Sequence, residues 1–137
     1  MKPKLLKRDD VLKFTGVDDW TNVKWILVDY LTLALIVIPA AYFFENRAAW
    51  GASVYWNIPV VMAAVLLVGA VQHRLACLGH EAAHYTLLKN RFWNEAVSDL
   101  FCIYPLFATT QAYRVHHIGH HLYPNDWEKD PNLLNGG

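Results

Sequence analysis

Residues 52–71, ASVYWNIPVVMAAVLLVGAV, run for twenty positions without an Asp, Glu, Lys, Arg or His. At about 1.5 Å per residue, a helix of that length covers roughly 30 Å, the depth of a lipid hydrocarbon core. A second run, Trp25 to Phe44, is broken only by Asp29 and Pro39. Asp29 lies near its start, where it is expected to reach headgroup water. Pro39 and Pro59 fit, because proline kinks are common in membrane helices. Trp20 and Trp25 sit at one end of this run, while Tyr42, Trp50, Tyr55 and Trp56 gather around the turn between the runs. Those are the levels of an aromatic belt. The competing reading is a soluble bundle with two buried helices. A chain of 137 residues has little left with which to cover them.

The connection Glu45 to Gly51 is short, which predicts a helical hairpin. Six basic residues precede the first run (Lys2, Lys4, Lys7, Arg8, Lys13, Lys24), one lies in the connection (Arg47), and five follow Val71 (Arg74, Lys89, Arg91, Arg114, Lys129). That asymmetry predicts both ends in the cytoplasm. The basic start leads into KRDDVLKF rather than an apolar stretch, so no cleavable signal peptide is expected. Lys2 to Asp19 reads as a solvated arm or short surface helix. Leu100 to Ala112 is too short to span and is expected at the interface or as a re-entrant segment. The expected architecture is therefore all-α and integral to the membrane. Residues 1–22 form a cytoplasmic N-terminal arm, and 23–137 form the hairpin with a cytoplasmic helical region.

Composition excludes other classes. The 12 basic and 12 acidic residues cancel, which argues against a nucleic-acid partner and against a disordered tail. Cys77 and Cys102 are too few for a disulfide scaffold. Cys77 reads as a small buried core residue. All seven histidines fall between His73 and His121.

These histidines form two clusters. In QHRLACLGHEAAHYTLLKN no proline interrupts the second apolar helix, which is expected to continue to about Leu88. His80 and His84 are four apart and share a face, and His73 falls on it too. In YRVHHIGHHLYPND, His117, His120 and His121 are expected to point one way on a helix, with His116 and His120 as an overlapping pair. Neutral imidazoles at such spacings suit iron, zinc, copper or nickel. His80, His84, His117, His120 and His121 are the candidate ligands, and His73 and His116 are further candidates. His80-Glu81-Ala82-Ala83-His84 also satisfies H-E-x-x-H, in which two histidines hold zinc and the glutamate activates water. A membrane-embedded zinc protease, with Glu81 catalytic, is one alternative, and a non-catalytic metal-binding membrane module is another. Asn94 and Asp99 are candidates for orienting the two clusters. Asp126 and Asp130 either pair with histidine N–H groups or cap a turn. Tyr113, Tyr123 and Trp127 mark the interface or a substrate entrance.

GHEAAH, then KNRFWNE, then YRVHHIGHH followed by ND and DP, resembles the membrane-bound fatty acid desaturase and hydroxylase superfamily. Its first histidine box, H-x3-4-H, is met by His80 and His84. Its second, H-x2-3-H-H, is met by His117, His120 and His121. The resemblance covers roughly Trp25 to Pro131. It implies a cytoplasmic di-iron centre held mainly by histidine, and dioxygen activation with electrons from a cytochrome b5 or ferredoxin-type donor. It also implies removal of hydrogen from the acyl chain of an acyl-lipid or acyl-thioester, within membrane lipid. Desaturation is the favoured reaction, with hydroxylation or ketolation as alternatives. Metal binding is expected to weaken below about pH 6.5, where free imidazole becomes charged. The superfamily has a third histidine box that these residues lack. The chain is therefore expected to be the N-terminal part of a larger enzyme and not to turn over alone.

Overall fold

A computed structural model of the chain describes residues 16–134. Among these residues the regular structure is entirely helical. Helix α1 spans Asp19–Asn46 and helix α2 spans Asn57–Ala83. A turn with Gly51 in the left-handed region (φ 70°) and a short 3-10 turn, Val54–Trp56, join them. Asp29 meets Arg74, and Leu35 to Phe43 lie opposite Val60 to Leu67, so the two helices form the expected antiparallel hairpin. Both are long and apolar enough to cross a membrane. Their apolar side chains, Leu31, Leu35, Ile38, Val61, Val65 and Leu66 among them, are exposed rather than buried. Such a surface suits a helix facing lipid and is not that of a buried helix in a soluble bundle.

Several expectations are corrected. Helix α1 begins at Asp19, capped by Asp18, which accepts from the Thr21 amide at 3.2 Å. Residues 19–22 thus belong to α1 rather than to an arm. They also hold the loop after α2: the Asn22 amide donates to the Leu87 carbonyl at 2.7 Å, and the Lys89 N–H donates to Asp19 at 2.9 Å. The rest of the proposed arm, residues 1–15, lies outside the described residues. Asp29 does not reach headgroup water, because it is fully buried beside Arg74. Cys77 is exposed and Cys102 is the buried cysteine.

Helix α2 stops at Ala83 instead of continuing to Leu88. Tyr85 turns left-handed (φ 60°), and the Thr86 N–H returns to the Glu81 carbonyl at 3.0 Å. The stop is stable because side chains add donors at the last carbonyls, beyond the Tyr85 N–H that reaches Ala82 at 3.0 Å. Asn94, fully buried on α3 (Arg91–Ser98), donates to the Ala82 carbonyl at 2.9 Å and accepts from the Leu88 N–H at 3.1 Å. A π turn (Asp99–Ile103) and a 3-10 turn (Tyr104–Leu106) follow. Cys102 and Ile103 pack into the core beneath Gly79, where an added Cβ would lie 2.7 Å from Ile103 Cγ1. The Leu100–Ala112 segment is therefore a folded connection with a buried side. Its outer residue Phe107 stays exposed.

Helix α4 spans Thr110–Leu122, and a short helix α5 spans Pro131–Leu134. Gly119 lets α5 approach, since a Cβ there would meet Pro131 Cγ at 2.9 Å.

Asn94→Ala leaves the buried Leu88 N–H without its partner and removes one of the donors to the Ala82 carbonyl. It should cost about 2 kcal/mol or more, read as a lowered unfolding midpoint in detergent.

Candidate metal site

The end of α2 carries the first histidine pair, and α4 carries the second group. Their relative position is set by side chains between them. Arg114 of α4 donates from Nε to the Ala83 carbonyl at 2.8 Å and from a terminal nitrogen to the Ala82 carbonyl at 3.0 Å. The same guanidinium is paired with Glu95 of α3 and lies over the Tyr85 ring, 4.0 Å from its centre. A planar cation with five donors suits the carbonyl end of a helix, where the dipole is negative. The start of α4 is fixed separately. The Thr110 N–H donates to Asp99 at 2.7 Å, and the Thr110 hydroxyl donates to that of Ser98 at 2.7 Å, in a buried position. Asn94 and Asp99 therefore both orient the histidine-bearing segments. Arg114 and Glu95 were missed from sequence. Both stand inside quoted stretches, but nothing local marks an arginine as capping a helix distant in the chain.

This framework brings His80, His84, His117 and His121 together, with one ring nitrogen of each within 4.8 Å of the others. His117 is central. Its Nε2 lies 2.9 Å from His84 Nε2 and 2.9 Å from His121 Nε2, and Tyr113 stacks on its ring at 5.4 Å. An imidazole nitrogen offers either one hydrogen or one lone pair, so it can make one well-directed hydrogen bond. Two neighbours at that distance exceed what it can satisfy. A cation shared by these rings would relieve both approaches, each nitrogen offering it a lone pair. The donor set is neutral, nitrogen-rich and convergent, and fits a transition-metal ion.

The second box does not point one way. His117 and His121 face the cluster, whereas His116 and His120 face α5. His120 Nδ1 lies 2.9 Å from both oxygens of Asp130, which is buried and also accepts from the Asn125 and Asn132 amides at 2.9 Å. Asp130 thus does both things expected of it, pairing with a histidine and capping a turn. Burial raises its pKa, but the hydrogen bonds from His120 and the two amides prevail and hold it below the usual carboxylate value. Asp126 only caps, accepting from the Glu128 amide at 2.9 Å. His116 bonds Asn132 at 2.8 Å, and His73 lies 3.9 Å from Cys77 Sγ. Both stand outside the cluster. Glu81 turns away to accept from the Thr86 hydroxyl at 2.7 Å, with His80 Nδ1 at 3.6 Å. Tyr123 lies beneath Lys129 at 5.5 Å, and Trp127 is exposed.

Burial, and then the neighbouring His80, His121 and His84 rings, push the His117 pKa down to about 4. Burial, then His80, likewise lowers His84. At pH 6.5 His117 is already neutral and ready to bind, so it yields little proton there.

A helical hairpin long and apolar enough to cross a membrane, ending in four convergent imidazoles, makes a site that could hold a metal ion. The chain belongs to the fatty acid desaturase family, whose sequence model matches residues 56–135. It is also similar to dihydrorhizobitoxine desaturase of Bradyrhizobium elkanii, with 49% identity over 58% of this chain and 22% of that protein. The chain thus spans only about a fifth of that relative's length. No solved structure matches it significantly.

Two outcomes test the site. In the metal-free protein, His117 should titrate near pH 4 by NMR and move up toward 6.5 in His80→Ala. Because the unfolded chain takes up this proton first, the His117 contribution should lower stability as pH falls from about 6.5 toward 4. In metal-binding calorimetry, His117→Ala should abolish tight binding. His73→Ala and His116→Ala should leave it unchanged.

Proposed function

We propose that this chain is the histidine-box part of an iron-dependent, oxygen-consuming membrane desaturase acting on an acyl-lipid or acyl-thioester. The observation that carries the reading is the convergence of His80, His84, His117 and His121 at the end of a hairpin within a desaturase family match. In the protein as a whole, His120, turned by Asp130, and ligands from a third box would complete a two-iron centre. Bound iron would supply the oxidant that removes hydrogen from an acyl methylene pair, using dioxygen and electrons from a cytochrome b5 or ferredoxin-type donor. Hydroxylation and ketolation draw on the same centre.

The chain's own residues have definable parts in this. The four imidazoles bind as neutral donors, which leaves a bound ion electron-poor. Arg114, Asn94 and Asp99 keep the two boxes in register. The exposed apolar faces of α1 and α2 keep an acyl chain beside the site and water away from it. Both ends of the hairpin lie in the cytoplasm by the charge count of the loops, which places the histidines where a soluble donor reaches them.

The test is acyl desaturation by the protein in its own membrane, supplied with iron, oxygen and reduced donor. Double-bond formation should require both oxygen and donor and should fall at least about 100-fold in His117→Ala. Zinc-dependent peptide hydrolysis lost in Glu81→Gln, with no oxygen uptake, would replace this reading with the protease one.

A further inference from the structure

Asp29 is fully buried within α1, and neither of its carboxylate oxygens has a hydrogen-bond partner. Arg74 of α2 lies 3.1 Å from Oδ1, an ionic contact without the direction of a hydrogen bond. A buried carboxylate in this condition is costly, and within a membrane helix it marks a functional position by default. Asp29 stands just inside the start of one apolar run, and Arg74 just beyond the end of the other. Both therefore sit at the level where the hairpin enters the apolar layer.

The two residues line a cavity of about 470 Å³ shared with Trp25, Cys77 and Glu81. Ligand pockets run from roughly 300 to 1,000 Å³. Glu81 belongs to the same helix turn as His80, its Oε1 3.6 Å from Nδ1, so one wall adjoins the histidine cluster. The lining carries two carboxylates and a single guanidinium, which leaves it formally net negative. Arg74, 45% exposed, rests over the Trp25 ring at 5.2 Å. One of its nitrogens addresses Asp29, and the partly exposed side chain leaves room for a second partner.

We infer that this cavity binds the head of an amphiphile in which a primary ammonium neighbours an anionic group. The ammonium has three N–H donors and can serve both Asp29 oxygens. The anion, a phosphate or carboxylate, meets the outer side of Arg74. The apolar tail leaves along the exposed faces of the hairpin. As a substrate site the cavity deepens the desaturase reading, but as a binding site it stands without it. The competing role is an ion pair that only latches α1 to α2.

The experiment uses the full chain, free of metal, in bilayers of equal phosphatidylethanolamine and phosphatidylcholine. Lipid retained after extraction is counted by native mass spectrometry. Phosphatidylethanolamine should be retained about tenfold over phosphatidylcholine, whose quaternary head has no N–H donor. Asp29→Asn should bring the ratio to parity with helix content unchanged by circular dichroism. Should that variant fail to fold, the exchanged pair Asp29→Arg with Arg74→Asp keeps the latch, and the preference should still be lost. A preference surviving the exchange, or equal retention by the unaltered protein, would overturn the assignment. Competition by phosphoethanolamine would mean that a tail-free head suffices, and lack of competition that the intact lipid is recognised; either supports the site. Because no metal or turnover enters the assay, its failure leaves the desaturase reading untouched, and the reverse also holds.

Discussion

A helix that stops leaves its last carbonyls without the donors of a further turn, and at the end of α2 these include Ala82, which takes the Tyr85 N–H at 3.0 Å, and Ala83, just before His84. Arg114 and Asn94 supply the missing donors. Each reaches from a different helix, so satisfying this one helix end brings α3 and α4 against α2. The backbone need and the metal site are thereby coupled. The arginine that caps the first histidine segment sits three residues before His117, on the helix that presents the second.

The same economy of polar contacts divides the second histidine group. A helix cannot aim four imidazoles at adjacent positions along one direction. The carboxylate of Asp130, held by two backbone amides, takes His120 to the α5 side. His117 and His121 are left to converge on His80 and His84. Burial and imidazole neighbours keep His117 neutral, the form in which it can donate its lone pair to a metal.

The hairpin contributes depth and an apolar surround. Its outward side chains are those a lipid environment would cover, while its inner face carries Asp29 against Arg74 rather than an unbroken apolar seam. A charged pair at the level of the membrane interface, opening on a cavity beside Glu81, sets a polar mouth next to the histidines. The arrangement can hold an amphiphile with its head at that mouth and its tail along the helices.

What the amino-acid order determined by itself was whatever depends on local spacing and transfer free energy. The two apolar runs, their short connection, the i,i+4 histidine pairs and the family resemblance are all of this kind. Where α2 ends was not legible, because the stop depends on donors from Asn94 and Arg114, some ten and thirty residues further on. The burial of Asp29, the exposure of Cys77 and the departure of His120 from its neighbours are likewise products of packing. Helical periodicity specifies which residues share a face, but only the tertiary structure decides what that face meets. Hydrogen-bond satisfaction across distant segments makes that choice, and it is written in no single stretch of the chain.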